Sequence, residues 1–125
     1  MNLLNYQNMA MRTNDKKNTE RLMKCWKRCS PNTDIGGIVN ASFGLSGEVG
    51  ELNDMIKKWM FHGHDLSLDD VKKELGDCLW YIAMMCESFG FSMEEVAQKN
   101  INKLIERYPE GFSEHASQHR KEYEV

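Results

Sequence analysis

The sequence predicts an all-α protein, and three observations support this fold class. Apolar residues recur at helical spacing along most of the chain, and the alternating pattern of β-strands is nearly absent. The two prolines, Pro31 and Pro109, lie outside the strongest helical segments. Ser67 and Ser92 are well placed to cap the helices that follow them. We therefore expect a four-helix-bundle-like fold in one domain that spans residues 1–125.

The first half of the chain predicts long helices joined by one loop. A first helical region covers about residues 2–29. Asn14-Asp15 interrupts its pattern, so the region could form either one helix or two. Residues 30–34 predict a loop. A second helix is expected from about Asp34 to Phe61, with a start that several glycines weaken. Small residues in a helix also allow another backbone or a ligand to approach closely.

The second half of the chain predicts two further helices and a tail. The third helix follows the N-cap Ser67 and ends near residue 89, because Gly90 suits the position after a helix end. Ser92 and Glu95 form a capping box that opens a fourth helix, which runs to about residue 108. From about residue 113 to residue 125 the composition predicts a polar tail.

Composition disfavours several classes of protein. The chain has 16 Lys and Arg against 19 Asp and Glu, which gives a net charge of −3. A general binder of nucleic-acid polymers needs a basic surface, which this balance does not supply. No apolar run approaches the roughly 20 residues of a membrane span, and the N-terminus lacks the pattern of a signal peptide. We expect a cytoplasmic protein with reduced cysteines and with neither a membrane nor a nucleic-acid partner.

Four carboxylates occupy unusual positions on the second and third helices. On a helical wheel Glu48 falls inside the apolar arc of its helix, and Glu51 falls at the edge of that arc. On the third helix Glu74 lies beside the apolar arc, and Asp77 has apolar neighbours on both sides. A buried carboxylate is costly unless it is protonated, paired or bound to a metal. Helices packed side by side would bring these acids together, and such an oxygen-rich set predicts Mg²⁺, with Mn²⁺ as a possible substitute.

Two other interpretations of the acids remain open. Acid pairs at helical spacing are commonly part of a solvated surface. A di-iron carboxylate bundle would instead carry Glu-x-x-His on two helices. In this chain Glu51 and Asp77 stand where that motif has histidine.

Three polar residues on the fourth helix form a stripe at spacings of i, i+3 and i+7. They are Asn100, Lys103 and Arg107. A lysine and an arginine on one helix face are suited to clamp a phosphate group. The alternative is that they only solvate the helix and complement its negative end.

The third helix is apolar almost all round after Asp77. Trp80, Ala83 and Met84 add to the apolar arc on the remaining side of the wheel. A helix in a single small bundle leaves one face in water, so this pattern predicts a further partner. The simplest partner is a second copy of the chain.

Three segments taken together resemble the MazG-type nucleotide pyrophosphohydrolases. They are Gly47–Leu52, Glu74–Tyr81 and, on the fourth helix, Asn100, Lys103 and Arg107–Pro109. The resemblance covers about residues 40–112. Tyr6-Gln7 and Arg12-Thr13 are also similar to short, phage-type members of the group, whereas residues 14–37 match no family pattern.

The resemblance implies an all-α enzyme that assembles as a homodimer or homotetramer. Its reaction is the Mg²⁺-dependent hydrolysis of NTPs or dNTPs to a nucleoside monophosphate and pyrophosphate, with a role in trimming dNTP pools or clearing unusual nucleotides. It implies Glu48, Glu51, Glu74 and Asp77 as metal ligands, and Lys103, Arg107, Asn100 and Tyr81 as substrate contacts. Either Glu48 or Glu51 is expected to take the proton of the attacking water. The alternative function is a non-catalytic helical interaction module with an acidic partner-binding face.

Overall fold

A computed structural model describes residues 1–120, and this part of the chain contains helices and no strand, apart from one isolated bridge between Pro109 and Gly111. The helices are α1 (Leu3–Ala10), α2 (Asn18–Arg28), α3 (Ile35–Phe61), α4 (Leu68–Phe89), α5 (Met93–Arg107) and α6 (Glu114–Gln118). A 3₁₀ turn at Met11–Thr13 follows α1. The predicted all-α class is confirmed. The last five residues of the predicted polar tail lie outside the described residues, and α6 occupies part of the remainder.

The first helical region consists of two helices, and local side-chain bonding explains the break. The Oδ1 atom of Asn14 accepts a hydrogen bond from the backbone N–H of Lys16 at 3.0 Å. Asp15 accepts one from the backbone N–H of Lys17 at 3.1 Å. Short polar side chains that bond to the backbone two residues on compete with helical hydrogen bonds. Arg21 pairs with Asp15 across the start of α2.

The bounds of the three longest helices agree with the sequence prediction because their caps form. Oδ1 of Asp34 accepts from the N–H of Gly37 at 2.9 Å and starts α3. Oγ of Ser67 accepts from the N–H of Asp70 at 3.2 Å and starts α4. Gly90 ends α4 with a φ of 84°, in the left-handed region that favours glycine. The capping box predicted at the start of α5 is present.

Helices α3 and α4 form an antiparallel hairpin, which is the most extensive helix packing among residues 1–120. A Cβ atom at Gly37 would overlap the side chain of Ser88, and a Cβ atom at Gly44 would overlap the ring of Tyr81. The backbone N–H of Asp34 also donates to the carbonyl of Ser88 at 3.0 Å. Seven residues separate the two contacts on each helix, so the two close approaches fix the register of the hairpin.

The described chain leaves most of its large apolar side chains exposed. Ala41 and Cys86 are its only buried hydrophobic residues. The accessible surface is 10883 Å², whereas a compact monomer of this mass exposes roughly 6,900 Å². Helix α5 packs mainly against α4, and neither α1 nor α2 packs extensively on the hairpin. Within residues 1–120 no helix combines the length and hydropathy needed to cross a membrane.

Candidate active site

Three of the four predicted acids meet between α3 and α4. Glu48 on α3 and Glu74 and Asp77 on α4 each offer one carboxylate oxygen, and these three atoms lie within 4.8 Å of one another. Glu48 and Glu74 are half-buried, and Asp77 is exposed. One divalent cation can contact an oxygen from each of these residues. No histidine of the described chain belongs to this cluster, so the Glu-x-x-His ligands of a di-iron centre are absent from it.

The electrostatics of the cluster favour a bound cation. Burial raises the pKa of Glu48, and a hydrogen bond with the carboxyl group of Glu74 and the negative charges of Glu51, Asp77 and Glu74 raise it further. Among the described residues, Oε2 of Glu74 is buried and has no hydrogen-bond partner. A buried oxygen without a donor, surrounded by other acids, is stabilised by a positive ion. The donor set therefore fits a hard metal such as Mg²⁺.

Glu51 is outside the group of three and lies beside it in an open cleft. The cleft has a volume of about 390 Å³. Its lining residues are Gly47, Gly50, Glu51, Asp54, Met55 and Glu74. A Cβ atom at Gly47 or Gly50 would meet no other atom within 4 Å, so these two glycines leave the wall of the cleft uncovered. The carboxylate of Glu51 is exposed to any ligand that enters this space.

The side chain of Tyr81 packs helix α4 against helix α3. Its ring lies against the backbone of Gly44, one turn of α3 before Glu48. The ring of Trp80 meets it edge-on, with ring centroids 5.0 Å apart and an interplanar angle of 86°. This position puts Tyr81 one turn beyond Asp77 on α4, and its predicted contact with substrate stays a prediction.

The predicted phosphate-binding residues Asn100, Lys103 and Arg107 lie on α5. The side chains of Asn100 and Lys103 are exposed and form no hydrogen bond or ion pair with another residue of the described chain. Arg107 is half-buried next to Tyr108. A hydrogen bond with Ser117, together with the positive charges of Arg120 and Arg107, lowers the pKa of Tyr108. The role of the α5 residues in binding substrate therefore also stays a prediction.

The structure adds two residues that the sequence prediction missed, Asp54 and Lys58. Asp54 lines the cleft, and its carboxylate oxygens pair with Nζ of Lys58 at 2.7 Å and with Nζ of Lys57 at 3.3 Å. Hydrogen bonds from Lys58 and then from Lys57 lower the pKa of Asp54. Their spacing in the sequence could have indicated them, because Asp54 and Lys58 fall on the same side of the α3 helical wheel as Glu51.

Comparison with known proteins identifies the class to which this fold and site belong. The family model described as the MazG nucleotide pyrophosphohydrolase domain matches residues 41–112, a range that holds the acid cluster, the cleft and α5. The chain belongs to this family, as its sequence motifs predict. It is also 31% identical over 90 residues to the Gene 37 protein of Mycobacterium phage L5, across 69% of this chain and 79% of the phage protein. No solved structure matches the chain.

Proposed function

We propose that the protein is a hydrolase that converts NTPs or dNTPs to a nucleoside monophosphate and pyrophosphate. Mg²⁺ is the proposed cofactor, with Mn²⁺ as a substitute, and the cytoplasm is the proposed compartment. Family membership supports nucleotide pyrophosphohydrolase activity in general. The observation that carries the metal-dependent reaction is the meeting of Glu48, Glu74 and Asp77 around a buried Glu74 oxygen without a hydrogen-bond donor.

Glu48, Glu74 and Asp77 would hold the metal, and Glu51 would stand beside them at the edge of the cleft. A metal held by these residues would supply positive charge to the phosphate oxygens and would make a water molecule more acidic. The register of the α3–α4 hairpin holds ligands from both helices at one level. The site would therefore be arranged before a substrate binds.

Glu51 is the better placed of the two candidates for the general base. Its carboxylate faces the cleft and is not one of the three clustered oxygens, so it is free to accept a proton from the attacking water. Glu48 lies inside the cluster, where burial and neighbouring acids favour its role as a metal ligand. The water would attack the α phosphorus in line with the departing pyrophosphate.

The positive side chains of α5 complete the proposed substrate site. Lys103 and Arg107 would stabilise the charge that develops on the leaving pyrophosphate, and Asn100 would donate a hydrogen bond beside them. Tyr81 would contact the substrate from α4. Lys103 and Asn100 are exposed and without partners in the described chain, which supports their availability to a ligand.

A homodimer or homotetramer is the proposed assembly. The chain exposes about 4,000 Å² more than a compact monomer of its mass. A standard interface requires only about 800 Å² from each partner. Leu75, Leu79 and Trp80 of α4 are 48%, 56% and 58% exposed, and a second copy would cover such a surface.

Chromatographic product analysis tests the reaction directly. The protein would be incubated with a panel of NTPs and dNTPs in Mg²⁺ and, as a control, in EDTA. Monophosphate and pyrophosphate that form only with the metal would support the proposal and identify the substrate. Diphosphate and phosphate would contradict attack at the α phosphorus. The absence of any turnover, together with indifference to metal, would favour the non-catalytic interaction module.

A further inference from the structure

Lys58 is a cation that pairs with a residue of the cleft, and it lies on the same helix as Glu48 and Glu51. Its Nζ atom lies 2.7 Å from Oδ2 of Asp54, a residue that lines the cleft together with Glu51. Helical side chains lean toward the N-terminus of their helix, so Lys58 reaches back one turn in the direction of the acids. Its own backbone is fixed, since its carbonyl accepts from the N–H groups of His62 and His64 at 3.0 and 3.1 Å.

The spacing along α3 sets where this ammonium group meets a ligand. Glu51 and Lys58 are two helical turns apart, which is roughly 10 Å along the axis. The lean of the lysine side chain brings its Nζ to the level of Asp54, roughly 5 Å from the level of Glu51. A triphosphate whose α phosphate lies at the acid cluster and whose chain follows the cleft would bring its outer phosphates beside Lys58.

The bonding of Asp54 allows Lys58 to change partner. Nζ of Lys57 lies 3.3 Å from the other oxygen of Asp54, so this carboxylate keeps a cationic partner when Lys58 leaves. Both lysine pairs are partly exposed, and ion pairs of this kind contribute little to stability. A phosphate group offers more negative charge and more acceptor oxygens than the carboxylate that it would replace.

We propose that Lys58 binds the pyrophosphate end of the substrate and that Asp54 positions the lysine at the cleft between turnovers. The charged residues that line the cleft, Glu51, Asp54 and Glu74, are all acids, so an outer phosphate that enters the cleft is stabilised by Lys58 from the α3 side, in addition to the contacts proposed for α5. The inference rests on the proposed function, since it assumes a triphosphate in this cleft.

Inorganic pyrophosphate is the probe that tests this assignment. Its binding would be measured by titration calorimetry in Mg²⁺, and its inhibition of triphosphate hydrolysis would be measured in parallel. Lys58→Met removes the ammonium group and keeps most of the aliphatic chain. Lys57→Met is the matched control, because Lys57 is the adjacent residue and pairs with the same carboxylate. Lys58→Arg tests whether a cation at this position is sufficient.

We expect Lys58→Met to weaken pyrophosphate binding about tenfold, as the loss of one charge-assisted contact predicts. The KM of the triphosphate should rise, and inhibition by the nucleoside monophosphate should not change. Lys57→Met should stay within about twofold of the wild type. Lys58→Arg should restore most of the affinity. Thermal melting of each variant shows whether the fold is kept.

Three outcomes would overturn the inference. They are unchanged pyrophosphate binding in Lys58→Met, an equal loss in Lys57→Met, and no pyrophosphate binding by the wild type in Mg²⁺. A wild-type protein that binds pyrophosphate through Lys58 but hydrolyses no triphosphate would count against the proposed reaction alone. The two proposals can therefore fail separately.

Discussion

The ring of Tyr81 lies against the backbone of Gly44, so closely that any side chain at residue 44 would overlap it. One heptad earlier on α3 and one heptad later on α4, Gly37 meets Ser88 in the same way. Seven residues after Gly44 on α3 and seven residues before Tyr81 on α4, Glu51 lies level with Glu74. Glu48 reaches the level of Asp77 in the same register. The two glycine contacts therefore align the acid pairs of the two helices.

Gly44→Ala should destabilise the fold, whereas Gly47→Ala should not. The added methyl group at residue 44 meets the Tyr81 ring, and overpacking of this kind costs about 1–3 kcal/mol. At residue 47 the same methyl group meets no atom within 4 Å, and alanine is the better helix former by about 1 kcal/mol. Urea denaturation of both variants measures the difference. Equal free energies of unfolding for the two variants would contradict the proposed contact.

Mg²⁺ or Mn²⁺ should raise the melting temperature of the wild type, and Asp77→Asn should abolish this increase. A ligand at 100 times its dissociation constant stabilises the native state by about 2.7 kcal/mol. Asp69→Asn is the control, because Asp69 is an exposed acid of α4 that pairs with Lys73 at 3.1 Å. This control should keep the full metal effect. A wild type that melts at the same temperature with metal and with EDTA would instead favour the interaction module.

The helices, and the unusual position of Glu48 on its own helix, could be predicted from the sequence for local reasons. Ser67, Ser92 and Gly90 determine helix ends through bonds within their own segments. Glu48 stands among apolar residues on its own helix, so its partial burial is predictable before any packing is known. The same pattern surrounds Asp77, but the structure leaves Asp77 exposed. Each of these signals needs only residues that are close in the chain.

Features that depend on contacts between helices were beyond the sequence. The approach of Tyr81 to Gly44 joins residues 37 positions apart, and no local pattern identifies that pair. Asp54 and Lys58 have the spacing of an ordinary surface ion pair, so only the cleft beside them indicates a further role. The placement of Glu51 outside the group of three acids likewise follows from side-chain packing and not from its spacing.

Without metal, the stability of the protein should fall as the pH rises above about 4.5, the ordinary pKa of a glutamate. Burial and then the neighbouring acids raise the pKa of Glu48 in the folded state, so the native protein holds a proton that the unfolded chain releases. The loss continues until the pH passes the raised pKa. Glu48→Gln should flatten this part of the profile, and Glu87→Gln, at an exposed site of α4, should not. Free energies of unfolding in EDTA across this pH range provide the measurement.

Glu51→Gln should separate catalysis from metal binding. A general base contributes roughly 10²–10⁴ to the rate, so kcat should fall by at least about 10². The increase in melting temperature with Mg²⁺ should remain, because the three clustered oxygens belong to other residues. Glu48→Gln should reduce both kcat and the metal effect. If Glu51→Gln loses the metal effect as fully as Glu48→Gln, then Glu51 is a principal ligand and the base lies elsewhere.

Leu79→Lys should break the assembly without disturbing the acids. Leu79 is 56% exposed in the single chain, so a lysine there removes little packing within that chain. On the α4 wheel it lies roughly 160° from Asp77, on the side away from the acid cluster. A charge buried in a subunit interface is costly, and we expect association to weaken at least about tenfold.

Light scattering coupled to size-exclusion chromatography should show a dimer or tetramer for the wild type and a smaller species for the variant. Gln98→Lys adds the same charge at an exposed polar site of α5 and should leave the assembly intact. A wild type that stays monomeric at tens of micromolar would contradict the proposed assembly, because Leu75, Leu79 and Trp80 would then face water in the native protein.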